Sequence, residues 1–143
     1  NNFKMGGIIP PSIAYTIIVN EVYGNDMEGN KMILAKNDII MVELNNSGSI
    51  QSGLRPCVIV SNDKANTHSP VILIAPLTSR TKKELPTHVS LEPSNTNGLS
   101  VVSTVLAEQI MAVNKTSIKK WVGKLNERET VRVAKALMTS LAL

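Results

Sequence analysis

The sequence predicts a mainly β fold, a small and strongly curved antiparallel barrel closed by one C-terminal amphipathic helix. Three observations lead there. Short runs of Val, Ile and Leu alternate with polar loops from residue 38 onward, and a helical repeat of apolar residues is clear only at the C-terminus. The chain has 143 residues, the size of one domain. A sheet of that size exposes strand edges unless it closes or dimerises.

The elements follow in order. Residues 1–35 stand apart: Gly6, Gly7, Pro10, Pro11, Gly24-Asn25-Asp26 and Gly29-Asn30 are turn and linker signals, and only 14–22 has strand character. This stretch is expected to be an extension, a cloning remnant or an upstream-start artefact, with Met32 as a candidate native start and the compact domain over 36–143. Residues 39–44 (Ile-Ile-Met-Val-Glu-Leu) read as the first core strand, and the polar segment 45–53 as a flexible loop. Arg55-Pro56 opens a second strand through Val60, since proline is tolerated where a strand begins. Ser61-Asn62-Asp63 ends it, and the chain to Ser69 is polar. Strands are expected at 71–77 and 87–91, with a turn at Asn95-Thr96-Asn97-Gly98. The apolar stretch 101–113 suits one bent strand or two. Residues 115–121 are expected to form a short helix and 122–125 a short strand. The last helix has the strongest signal. Asn126 can cap it and Glu129 can complete a capping box, with Thr130, Val133, Ala134, Leu137, Met138 and Leu141 repeating at helical spacing. Its apolar face is expected to pack on the sheet or on a second subunit.

Composition narrows the function classes. Aromatic residues are 3% of the chain, so stacking of bases on Phe, Tyr and Trp is not expected to dominate any nucleic-acid binding. The net charge of +4 is compatible with a polyanionic ligand without requiring one. Cys57 is the single cysteine, which excludes an internal disulfide and reads as a small buried hydrophobe. No stretch approaches the roughly 18 apolar residues of a membrane span, and no signal-peptide pattern is clear, so a cytoplasmic location is expected.

Most catalytic patterns are missing. His68 and His88 have no ligand spacing, His68 reading as a loop residue and His88 as the mouth of a strand, so no metal is expected. Gly48 and Gly53 lack the Lys-Ser or Lys-Thr of a phosphate-binding loop, and no Gly-x-Ser-x-Gly elbow occurs. Arg55 remains. Its planar fork of donors matches phosphate, and a position at a strand start under a mobile loop suits transition-state stabilisation, to which Thr78 could add a hydroxyl. From these residues alone, a phosphate clamp and a solvated surface arginine both stay open. The basic loop Arg80, Lys82 and Lys83 is likewise either a polyanion seat or a solvated turn.

Several motifs, in order, resemble the MazF/PemK toxin family. They are Asn37-Asp38-Ile39-Ile40, Gly48-Ser49-Ile50-Gln51-Ser52-Gly53-Leu54-Arg55-Pro56, Val60-Ser61-Asn62-Asp63 with Asn66 and His68-Ser69-Pro70, Ala75-Pro76-Leu77-Thr78-Ser79, Leu85-Pro86-Thr87-His88-Val89, Leu106-Ala107-Glu108-Gln109-Ile110, and Gly123-Lys124-Leu125 before the final helix. The resemblance runs from about Ile33 to Leu143. It implies an SH3-like barrel of the CcdB/PemK type, a homodimer, and metal- and cofactor-free cleavage of single-stranded RNA (an mRNA interferase) by attack of the ribose 2′-hydroxyl on its own phosphate. It further implies Arg55 and Thr78 as the catalytic pair, Arg55 as proton-transfer group or transition-state clamp and Thr78 holding the phosphate. Ser49, Gln51, Ser79, Glu108 and Gln109 fall on the RNA-contacting positions. The implied partner is a MazE-like antitoxin with an acidic C-terminal segment, through which alone the protein would meet DNA; no membrane is implied.

The chain departs from the pattern at Ile50, where the family often has Glu, at Ser52 for Gly, and at Asn37 for Gly. Loss of a carboxylate at 50 removes a possible base-reading acceptor and bears on the cut sequence more than on cleavage. Two other readings are a same-fold toxin that poisons DNA gyrase, as the CcdB family does, and a non-catalytic module that represses its operon with a partner. The first family lacks the Arg-Pro and Thr-Ser motifs.

Overall fold

A computed structural model describes residues 33–80 and 83–143; the expected strand at 14–22 lies outside them. In chain order the elements are β1 (Asp38–Leu44), β2 (Gly53–Ile59), α1 (Asp63–His68), β3 (Val71–Thr78), β4 (His88–Leu91), β5 (Ser103–Leu106), β6 (Met111–Asn114), β7 (Ile118–Lys124) and α2 (Glu127–Leu141). Single 3-10 turns precede β6 (Ala107–Gln109) and β7 (Lys115–Ser117). All the strand pairs are antiparallel. The order is β4-β5-β3-β2-β1-β7, with β6 on β3. The sheet curls, but no ladder joins β4 to β7 among the described residues, so it does not close into a hydrogen-bonded ring.

Burial on both faces makes the central strands nearly continuous apolar runs. Alternate residues divide between two cores. Ile40, Val42, Cys57, Ile59, Ile72, Ile74, Ile118 and Trp121 fill the inside of the curl. Ile39, Val58, Ala75, Leu77, Val89, Leu91 and Val105 face the other way, against Val133 and Ala136 of α2.

β3 carries two partners on one edge, β6 beside its first half and β5 beside its second. The stretch 101–113 is therefore two strands, and the 3-10 turn between them is an insertion. From Leu77↔Val105 to Ile74↔Met111 the chain takes three steps along β3 and six on the partner side. The surplus residues bulge outward, Ala107 stays buried, and Glu108 and Gln109 are pushed toward the surface.

Four expectations change. β2 begins at Gly53, so Arg55 and Pro56 lie within the strand and not at its start. The polar segment after Ser61 is a helix, α1, capped by the Asn62 side chain on Ala65 N–H at 2.9 Å, so His68 ends a helix and is not in a loop. Only Lys115–Ser117 is helical in the region expected as a short helix, and Ile118–Trp121 belongs to β7. Finally, α2 docks through Glu129, Val133, Ala136 and Leu137, while Ala134, Met138 and Leu141 of the expected apolar face are exposed. The capping box sets that rotation: Glu129 accepts from Asn126 N–H at 2.9 Å and from the buried Asn97 amide at 3.1 Å, which turns Glu129 and the residues one and two turns on toward the sheet. Among the described residues, no helix is long and apolar enough to cross a membrane.

Candidate active site

The β2–β3 ladder is short, running from Ile59↔Ile74 to Cys57↔Pro76. No ladder pair continues it toward Arg55 and Thr78 among the described residues. Strand alternation puts Arg55 in the row of Cys57 and Ile59 and Thr78 in the row of Ile72 and Ile74, so both belong to the inner-core face of the sheet. Arg55 is half-buried, and its Nε donates to the Ser52 carbonyl at 2.8 Å. Its two terminal nitrogens make no hydrogen bond to the described residues, so the fork is anchored at its base and open at its tips. Thr78 is 1% exposed; its Oγ1 accepts from Arg80 N–H at 3.2 Å, which fixes the rotor and leaves the hydroxyl proton to donate elsewhere. Beside them, burial pushes the Cys57 thiol well above its ordinary range against the weaker pull of the Arg55 charge, so Cys57 is no nucleophile.

The loop before Arg55 is held by side chains. Gln51 N–H donates to Gln109 Oε1 at 2.9 Å and Gln109 Nε2 donates to Ser49 O at 3.3 Å. On the other side, Asn46 Nδ2 donates to Gln51 O at 2.9 Å and lies 3.4 Å from Met111 Sδ. Ile50 is 49% exposed at the loop tip.

Glu108 turns the other way along the bulge. Its carboxylate meets His88 Nε2 at 2.9 Å, while His88 Nδ1 lies 2.8 Å from Lys83 O. Burial raises the Glu108 carboxyl, but the His88 and backbone hydrogen bonds, the His88 charge and the Thr87 hydroxyl outweigh it, leaving the group below its ordinary range. The His88 side chain is 8% exposed and staples the start of β4 to the bulge.

Two clefts meet at Ser79. One, of 390 Å³, is lined by Leu54, Arg55, Pro56, Ser79, Val101 and Lys120. The other, of 580 Å³, is lined by Ser79, Arg80, Lys83, His88, Thr104 and Arg132, with Glu84 as its acidic member.

The family model described as PemK-like, MazF-like toxin of type II toxin–antitoxin system matches residues 35–141. A curated relative, endoribonuclease MazF of Staphylococcus saprophyticus, is 34% identical over 113 residues, covering 78% of this chain and 93% of its own length. The chain belongs to the PemK-like, MazF-like toxin family. Solved structures agree on the fold: a mycobacterial endoribonuclease in complex with its cognate antitoxin superposes with a TM-score of 0.65 at 24% identity, over 77% of this chain and 96% of the other. MazF from Deinococcus radiodurans gives 0.66 at 22% identity, over 78% and 98%.

With the family in hand, its motifs separate by task in this MazF-like chain. Ser61, Asn62, Asp63 and Asn66 form a structural knot. Asn66 is 1% exposed, donates to Ser61 O at 2.9 Å and accepts from Ser61 Oγ at 2.5 Å, while Asp63 takes Lys36 N–H at 2.7 Å. Asn37 has φ 76, a left-handed conformation that glycine adopts freely and asparagine tolerates, which accounts for its standing where the family has Gly. Of the residues singled out from sequence, Ser49, Gln51 and Gln109 form one network, Arg55 joins it through Ser52, Ser79 lines a cleft with Arg55, and Thr78 is buried at the end of β3. Glu108 stands with His88 instead. Sequence reading gave Asn46, Thr87 and Arg132 no role of their own and His88 only a strand-end role, although Thr87 and His88 lie within the motif Leu85-Pro86-Thr87-His88-Val89; the His88 contact to Glu108 joins residues 20 apart, beyond a local pattern.

Proposed function

We propose that this chain is the toxin half of a type II toxin–antitoxin pair and a metal-independent endoribonuclease that cuts single-stranded RNA. The observation that carries the reading is the Arg55 guanidinium, anchored at Nε and open at its tips in a cleft, on the same face of the sheet as the buried Thr78 hydroxyl. A phosphodiester seated there would meet donors from both strands. The ribose 2′-hydroxyl attacks the adjacent phosphorus and gives up its proton, a pentacovalent phosphorane forms, and the bond to the 5′-oxygen breaks as that oxygen takes a proton. The products are a 2′,3′-cyclic phosphate and a free 5′-hydroxyl. The Arg55 fork and the Thr78 hydroxyl hold the non-bridging oxygens as charge builds there.

Ser79, shared by both clefts, lets one strand run from the Arg55 cleft into the basic cleft, with Arg80, Lys83 and Arg132 meeting further phosphates. Ser49 and Gln51 border the bases, and Glu108 and Gln109 border the same path from the bulge. The exposed Ile50 contributes apolar contact in place of an acceptor, which points to a different preferred base there. The same basic cleft suits the acidic segment of an antitoxin, so inhibition follows from occupation of the RNA path. A homodimer in the cytoplasm completes the reading.

The test is cleavage of mixed-sequence single-stranded RNA by antitoxin-free protein in EDTA. Cyclic-phosphate ends are expected, and Arg55→Ala should lower the rate on the order of 10³-fold with an unchanged circular dichroism spectrum. Intact RNA, or cleavage that survives Arg55→Ala, overturns it.

A further inference from the structure

We infer that Gln109 and Asn46 are positioning residues that aim the Arg55 guanidinium by clamping the loop before it. The inference rests on the reading that Arg55 holds the phosphate. Both ends of the Gln109 amide are spent on backbone: Oε1 accepts from Gln51 N–H and Nε2 donates to Ser49 O. Asn46 takes Gln51 O from the opposite side. The next carbonyl, Ser52 O, receives Arg55 Nε. Two hydrogen bonds thus join a rigid support to the loop, one from Asn46 ties the loop to itself, and one joins the loop to the reactive group. The support is the bulge between β5 and β6, whose Ala107 is fully buried and whose backbone is tied to Thr87 O at 2.9 Å. The dependent part is an exposed loop in which residues 45–50 all face solvent.

This arrangement distinguishes Gln109 from a base-reading residue. A side chain that reads a base presents its amide to ligand; here the loop takes one amide hydrogen and one oxygen lone pair, which fixes the amide's orientation toward the backbone of Ser49 and Gln51. Releasing the loop frees Ser52 O to move, and Arg55 loses the anchor that fixes its fork relative to Thr78. A misplacement near 1 Å at a reacting centre lowers rates by about 10²-fold.

The polarity of the two clamps gives the test. Gln109 both accepts and donates while Asn46 only donates, so changing each amide to its acid should have different outcomes. Single-turnover rates and KM on a cleaved RNA, together with 5′-end sequencing of the fragments, are measured for Gln109→Ala, Gln109→Glu, Asn46→Ala, Asn46→Asp and Arg55→Ala. Gln109→Ala and Asn46→Ala should each cut the rate by roughly 10- to 100-fold at every site while KM moves by less than about threefold and the set of cut sequences stays the same. Gln109→Glu should recover only part of the loss, because it keeps the acceptor for Gln51 N–H but sets a carboxylate oxygen against Ser49 O, and Asn46→Asp should stay as slow as Asn46→Ala. Thermal melting of each variant separates loss of aim from loss of fold; Gln109 is half-buried and Asn46 exposed, so melting should hold steady. A Gln109→Ala enzyme that cuts at full speed, or that changes its cut sequences without slowing, overturns the inference while Arg55→Ala remains inactive. An active Arg55→Ala overturns the underlying reading as well.

Discussion

Residues 45–53, Asn-Asn-Ser-Gly-Ser-Ile-Gln-Ser-Gly, and residues 94–98, Ser-Asn-Thr-Asn-Gly, are both runs of small polar residues that end in glycine. In the folded chain they differ in what surrounds them. The first stands in solvent, held by Gln109 and Asn46, and a Cβ added at Gly48 would meet nothing within 4 Å. The second is built into the protein. Asn97 is 0% exposed; its Oδ1 accepts from Ser94 N–H and Leu99 N–H, both at 3.0 Å, and its Nδ2 donates to Glu92 O at 2.8 Å and Glu129 Oε2 at 3.1 Å. Turn chemistry therefore says where the chain reverses but not whether the reversal is free to bind a ligand. What decides is the partner far along the sequence, a helix cap in one case and a surface bulge in the other.

The sharpest way to break that comparison is at the glycines. Gly98 has φ 70 and a Cβ there would lie 2.2 Å from the Val122 carbonyl oxygen, in the backbone of β7. Gly98→Ala should cost about 3–4 kcal/mol, the sum of a left-handed alanine and an overpacked strand contact. Gly48 has the same φ of 70 in open space, so Gly48→Ala should cost only about 1–2 kcal/mol. Urea denaturation of the two variants measures the gap; equal losses would show that the loop is as tightly built as the turn.

Next in size is Asn97→Ala. It removes four side-chain hydrogen bonds at a fully buried position and strips the Glu129 carboxylate of one partner at the start of α2. A loss of about 2–3 kcal/mol is expected, with weaker helical protection in hydrogen exchange near residue 129. A loss under about 0.5 kcal/mol, typical of surface sites, would place this turn with the other one.

These contrasts also explain what was legible in the sequence. β1, β3 and the capped start of α2 were readable because each is a local pattern of apolar spacing or cap residues. β7 was misread at its start because its pairing with β1 shifts register between Met41 and Val42, leaving Lys119 and Lys120 exposed in succession between buried Ile118 and Trp121. That spacing of three imitates a helix. α1 is six residues, all polar but Ala65, with one buried side chain, so it offered only the Asn62 cap to read. Of the apolar residues expected on α2, Val133 and Leu137 pack on the sheet and Ala134, Met138 and Leu141 stay exposed in the single chain, because the apolar residues surround more of the helix than the sheet buries and the Glu129–Asn97 bond, invisible in sequence, selects which part turns toward it. Arg55 and Thr78 were nameable as donors beside strand ends and singled out by family motif. Their shared face depends on the pairing of β2 and β3, which only the folded sheet supplies. The Gln109 clamp joins residues 58 and 60 apart, beyond any local pattern.

The smallest predicted effect lies at the other end of the bulge, where Glu108 faces His88. Its carboxyl sits below the ordinary value of 4.5 in the folded chain. The native state therefore favours the ionised form, and the stability this contributes is fully present above about pH 4.5 and is lost as pH falls through the lowered native value. Glu108→Gln removes the titrating group, so its urea midpoint should fall less than the parent's between pH 6 and pH 3. The difference should stay below about 1 kcal/mol, because the Glu108 side chain is 38% exposed and solvent screens the pair. Parallel pH profiles for the two proteins would mean that the His88 contact positions the bulge without favouring the charged carboxylate. The staple would then act through shape alone, and the support beneath Gln109 would owe its rigidity to the buried Ala107 and its bond to Thr87 O.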